Sequence, residues 1–212
     1  MSSMHDDTIT PEMWTEIDRQ IAARETVVEN LLDWYAYHRF HLVLLRKGLK
    51  RPTSDLGWPD LPNPSRAHVL EWIMTGGNIG LNLGKSDLLG IDTDNDAASC
   101  VMVERGFDPV TEPANAQNPD HPKGKEGGLH FLFRIPAEWG VTGDELRGPG
   151  RTTHLPGGGK LDALAGRKYM VLPPSVLGEF GHVATYAALG AMRRDIPTFP
   201  RELWGGNWEV AA

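Results

Sequence analysis

The sequence has a single cysteine, Cys100, among 212 residues. One thiol excludes an internal disulfide and any zinc site built from several cysteines. The chain also lacks an apolar run approaching the roughly 20 residues of a membrane-spanning helix. Its polar, acidic N-terminus has none of the features of a signal peptide. A cytoplasmic protein with no membrane partner and no zinc is the expectation. Positive charge is in short supply: 21 Lys and Arg stand against 28 Asp and Glu, for a formal charge of −7. That balance argues against indiscriminate binding to nucleic acid. The acidity is concentrated in residues 1–30, where Asp6, Asp7, Glu12, Glu16, Asp18, Glu25 and Glu29 outnumber Arg19 and Arg24; the rest of the chain carries −2. Internal repeats are absent as well. What is present, 40% hydrophobic and 23% charged residues, suits a globular chain long enough for one large domain or two small ones.

Thr10-Pro11-Glu12 has the signature of a helix start, and helical spacing continues through Val27, Leu31, Leu32, Trp34 and Tyr35. Phe40 to Leu45 reads as a buried strand, and a proline-rich loop with the basic run Arg46, Lys47, Lys50 and Arg51 follows it. Ser65 is placed to cap a short helix through Val69, Leu70 and Trp72. "NIGLNLG" and "LLGIDTD" read as neighbouring strands, followed by a helix over about 97–105. Residues 111–127 and the glycine-rich stretch 142–159 read as long loops around the strand "GGLHFLFRI". "KLDALAG" and "KYMVLPPS" read as short strands, and a helix is expected near Tyr186–Met192. Irregular alternation of strands and helices predicts an α/β (α+β) domain with mixed β-sheets and flanking helices.

Residues 80–96 hold two suggestions of a nucleotide site. Gly84-Lys85-Ser86 ends like a phosphate-binding P-loop, but that loop needs glycine at the position of Ile79, and an apolar strand follows where a helix should begin. The segment is therefore expected to be a turn. The second suggestion is Asp92-Thr93-Asp94. On a strand, residues i and i+2 share a face with their carboxylates starting about 6 to 7 Å apart, close enough to hold a pair of Mg²⁺ or Mn²⁺ ions. A calcium loop does not fit, since Ala97 and Val103 stand where it needs Gly and Glu. A solvated turn at a strand end would account for the same acids without chemistry.

Further along, alternation places Leu129, Phe131, Phe133 and Ile135 on a core face and His130, Leu132 and Arg134 on the other. The preceding Gly127-Gly128 allows close approach of a backbone to a ligand. Asp162 lies in a short strand, where an acid is disfavoured unless it has a partner such as a metal ion.

The order of these features resembles the N-terminal primase–polymerase (prim-pol) domain of bifunctional primases, in the archaeo-eukaryotic primase superfamily. The residues that carry the likeness are Lys50-Arg51-Pro52 with Gly57-Trp58, Asn78-Ile79-Gly80, Asp92-Thr93-Asp94, Gly127-Gly128-Leu129-His130 with Phe133, and Asp162 followed by Pro173-Pro174-Ser175. The resemblance implies a catalytic domain over 25–205 with an RRM-like catalytic core, preceded by an acidic helical extension over 1–24. It implies Asp92, Asp94 and Asp162 as ligands of two Mg²⁺ or Mn²⁺ ions, and His130 on the phosphates of an incoming nucleotide. Arg134, Arg167, Lys168 and Tyr169 would adjoin that nucleotide, with Lys50 and Asn82 as further candidates. The chain departs from the family where Glu126 stands in place of Ser or Thr, and where Leu164 and Arg167-Lys168 replace a basic residue and a glycine pair. The implied activity is a DNA primase and DNA polymerase acting with single-stranded template, primer and dNTP or NTP, beside a fused or separate helicase. A metal-dependent phosphoesterase or nuclease, and an idle nucleic-acid-binding module of the same fold, are the alternatives.

Overall fold

The protein's structure, a computed structural model, describes residues 11–54, 57–112, 127–146, 151–155, 159–177, 184–185, 187–188 and 195–200. Helix α1 (Pro11–Tyr37) runs unbroken for 27 residues. Val28, Leu31, Leu32 and Tyr35 recur at helical spacing, and all four are buried. The helix stops at Arg39, which takes a left-handed φ of 58° without glycine. Strand β1 (Leu42–Leu45) follows. Helix α2 (Arg66–Met74) is capped as expected by Ser65, whose side chain accepts from the His68 amide.

The remaining elements are β2 (Asn78–Asn82), β3 (Leu88–Thr93), α3 (Asp96–Glu104), β4 (Thr111–Glu112), β5 (His130–Arg134), β6 (Arg151–His154), β7 (Lys160–Leu164), β8 (Tyr169–Leu172), β9 (Val176–Leu177), β10 (Ala184–Thr185) and β11 (Ala187–Ala188). They form a three-stranded sheet of order β1-β2-β8, a β10-β9 pair, and a six-stranded sheet of order β11-β4-β5-β3-β7-β6. Every pairing between named strands is antiparallel. The domain is therefore α+β, with antiparallel sheets and flanking helices.

Three expectations change. β2 and β3 are consecutive but lie in different sheets, because the turn over Leu83–Asp87 passes the chain from the small sheet to the large one. The stretch read as a loop over 142–159 contains β6, an edge strand that pairs with β7. Where a helix was expected near residue 186, Ala184–Thr185 and Ala187–Ala188 are instead short strands drawn into pairing with β9 and β4; the rest of that segment lies outside the described residues. Sheet pairing here overrides the helix preference of alanine.

The large sheet is covered on both faces. On one, Leu89, Ile91, Phe131, Phe133, Leu161 and Ala163 pack with Ala98 and Met102 of α3. Phe131 and Phe133 are fully buried, each worth about 1.5–3 kcal/mol over exposure. On the other, Leu88, Leu132 and Leu164 pack into a cluster with α1, α2 and the small sheet. The same face carries, further along, the polar residues Asp92, His130 and Asp162.

Candidate active site

Asp92 lies in the middle of the large sheet. Its backbone partner on β5 is His130 and its partner on β7 is Asp162. Directly opposed residues share a face, so the three side chains stand in a row across adjacent strands. Thr111 opposite His130 and Thr152 opposite Asp162 extend that row to five strands. The His130 Nε2 atom is 3.5 Å from Asp92 Oδ1.

Asp94 is one residue beyond the end of β3. Its amide still donates to the Lys160 carbonyl at 3.2 Å, continuing the β3–β7 ladder. Asn95 then caps α3, accepting from the Ala98 amide at 3.0 Å. Capping explains Asn95 and Asp96. Asp92 and Asp94 are not part of that cap; they pair instead with His130 and Lys160.

A buried set of hydroxyl contacts fixes this row. Thr93, fully buried between the two acids, receives the Leu129 amide on Oγ1 at 2.7 Å and touches Ser99 Oγ at 2.7 Å. Ser99 in turn donates to the Gly127 carbonyl at 2.6 Å. Gly127 has φ of 72°, and a Cβ there would meet the Asp96 backbone at 2.8 Å. The glycine thus lets the start of β5 approach helix α3, rather than a ligand.

One cation that sequence reasoning missed enters here. Lys160 Nζ lies 2.9 Å from Asp94 Oδ2 and 2.7 Å from Asp162 Oδ2. Hydrogen bonds that the ammonium donates to these two carboxylates, Asp162 first, hold its pKa well above the usual lysine range. Thr152 Oγ1 donates to the other oxygen of Asp162 at 2.6 Å. The signal for Lys160 was available, because it stands two residues before Asp162 and so shares its face. Among the described residues, no three His, Cys, Asp or Glu side chains converge on one metal position in this conformation. The carboxylates offer hard oxygens of the kind that suit Mg²⁺ or Mn²⁺, and the Lys160 ammonium stands between two of them.

The other candidates fall elsewhere. Arg134 is at the opposite end of β5, roughly 13 Å along the strand from His130. Arg167 and Lys168 are exposed in the turn between β7 and β8, and Arg167 makes a two-pronged pair with Asp60 at 2.8 and 3.0 Å. Tyr169 is half-buried, packs edge-on against Trp58 and donates its hydroxyl to the Lys50 carbonyl. Asn82 is buried, donating to the Pro59 carbonyl at 3.0 Å and accepting from the Lys85 amide at 3.2 Å. Tyr169, Lys50 and Asn82 thus brace the loop that follows β1. Gly84-Lys85-Ser86 is a turn, with Lys85 paired to Asp144 at 2.8 Å and Ser86 Oγ accepting from the His41 amide at 2.9 Å.

Among the described residues, no helix is long and apolar enough to cross a membrane. No curated protein matches the chain. A family model described as Prim-Pol, bifunctional DNA primase/polymerase, N-terminal, matches residues 32–202.

Proposed function

The chain belongs to the Prim-Pol family of bifunctional DNA primase/polymerase N-terminal domains, and on that premise we propose that it is a DNA primase and DNA polymerase. The reaction is template-directed nucleotidyl transfer, starting and extending primers on single-stranded DNA. The observation that carries this reading is the register that sets Asp92 between His130 and Asp162 on one sheet face.

Asp92, Asp94 and Asp162 would hold two Mg²⁺ or Mn²⁺ ions, whose Lewis acidity activates a primer 3′-hydroxyl and neutralises the leaving pyrophosphate. His130 presents an imidazole 3.5 Å from Asp92 and would contact a nucleotide phosphate. Arg167 and Lys168 stand on an exposed turn free of apolar cover, suited to a triphosphate tail once Arg167 releases Asp60. Strands β3, β5 and β7 hold Asp92, His130 and Asp162, with Asp94 one residue past β3, so this part of the site is positioned by strands rather than loops. Nucleotidyl transfer asks chiefly for positioning and charge neutralisation, and this residue set provides both.

The test is primer extension and unprimed synthesis on single-stranded DNA with Mg²⁺ or Mn²⁺. Wild-type protein is expected to give metal-dependent products, and Asp92→Ala/Asp94→Ala none, with the double variant still folded by circular dichroism. Absence of products from folded wild-type protein with either metal overturns the reading.

A further inference from the structure

The spacing Lys160-Leu161-Asp162 puts an ammonium and a carboxylate on the same face of one strand, and the fold adds Asp94 from the end of β3. Lys160 Nζ reaches both carboxylates, at 2.9 and 2.7 Å. Its backbone is held on both sides, by pairing with His154 and by the Asp94 amide on its carbonyl. Only the four-carbon stem is left to move.

Two carboxylates brought to one ammonium would repel each other without it. A divalent ion needs the same oxygen lone pairs, and it is a like charge to the ammonium. The two cations therefore exclude each other.

We propose that Lys160 is a positioning residue: its ammonium holds Asp94 and Asp162 together in the metal-free protein and is displaced when a divalent ion takes those carboxylates. Metal loading is then an exchange of cations on a preassembled pair of acids, and it leaves the Lys160 ammonium free beside the site. This rests on the reading that Asp92, Asp94 and Asp162 bind divalent metal.

The experiment measures Mn²⁺ binding without nucleotide, by electron paramagnetic resonance of the unbound ion. The proteins compared are wild type, Lys160→Met, Lys160→Arg and Asp92→Ala/Asp94→Ala. Removing the competing charge is expected to tighten Mn²⁺ binding about tenfold in Lys160→Met, while Lys160→Arg keeps the wild-type constant. The metal-free Tm of Lys160→Met should fall, and Mn²⁺ should raise it more than it raises that of wild type. Lys160→Met binding Mn²⁺ no more tightly than wild type overturns the proposal and leaves the metal reading standing. No acid-dependent Mn²⁺ binding by any of the proteins overturns both. Should Lys160→Met not fold, reductive ¹³C-methylation of the unsubstituted protein answers the same question. The Lys160 resonance, assigned by its loss in Lys160→Arg, is expected to shift on saturation with Mg²⁺. A resonance that stays in place refutes displacement.

Discussion

Thr93→Val removes one oxygen and almost no volume from the point where β3, β5 and α3 meet. Thr93 is fully buried, and its Oγ1 accepts the Leu129 amide and contacts Ser99. Without it, that amide loses a hydrogen-bond partner in a place closed to water, at a cost of about 1–3 kcal/mol. Loss of the Ser99 contact adds about 1 kcal/mol. The expected destabilisation is about 2–4 kcal/mol, a large share of the roughly 5–15 kcal/mol that holds a domain folded. At this chain length that corresponds to a fall in Tm of about 5–15 °C. Thr93→Ser keeps the oxygen and loses a methyl group, so it should cost about 1 kcal/mol. Urea unfolding followed by far-ultraviolet circular dichroism measures both. The reasoning is refuted if Thr93→Val lies within about 0.5 kcal/mol of wild type, or if Thr93→Ser is equally damaging. Because Thr93 follows Asp92 and Leu129 precedes His130, the valine protein should also incorporate nucleotide more slowly at temperatures where it is still folded.

His38 is buried, and burial, with the nearby Arg134 charge, pushes its pKa below the ordinary histidine value, against the opposing pull of Asp195. The unfolded chain then binds its proton first, so stability is full above about pH 6.5 and falls as pH drops below it; His38→Phe should flatten that part of a Tm-against-pH curve, and an unchanged slope would count against it. Gly127→Ala combines a left-handed φ with overlap against the Asp96 backbone; a loss of at least about 2 kcal/mol in urea unfolding is expected, and a neutral result would mean that β5 and α3 move apart at little cost.

Sequence periodicity was enough to find β5 and to say which of its residues face the core, because alternation is a local property. Phe131 and Phe133 are buried on one face and His130 lies on the other. It was also enough to reject the P-loop, since Gly84-Lys85-Ser86 lacks both the leading glycine and the following helix. Sheet membership was not legible. β2 and β3 are separated by a five-residue turn, and nothing local says that the turn changes sheets. β6 was hidden because Gly157-Gly158-Gly159 dominates its neighbourhood, although Thr152 and Thr153 on one side and "KLDAL" on the other make a hairpin pattern. At the site, Asp92, Asp94, His130 and Asp162 could be named from their order, but their alignment depends on registers that only pairing sets. Lys160 was overlooked for a related reason: its second partner, Asp94, comes from another strand.

Several of the remaining motif residues also fasten the fold. Asn78 donates to the Leu49 and Val176 carbonyls at 3.0 and 2.7 Å and accepts the Val176 amide at 2.8 Å. Ser175 both accepts from the Ile79 amide, at 3.0 Å, and donates to its carbonyl, at 3.1 Å. The Asn-x-Gly and Pro-Pro-Ser segments, about 95 residues apart in sequence, are thus one clamp between β2 and β9. Gly80 belongs to the same construction, since a Cβ there would press on the Tyr169 ring at 3.1 Å. Tyr169 in turn ties down Lys50 and packs on Trp58. A buried polar group left without its partner costs more than the bond returns when made, so loss of the Asn78 or Ser175 side chain is costly to the fold. Motif order in this chain therefore marks two different things: four side chains and Lys160 gathered on one sheet face, and a separate set of hydrogen bonds that fixes the small sheet packed beside them.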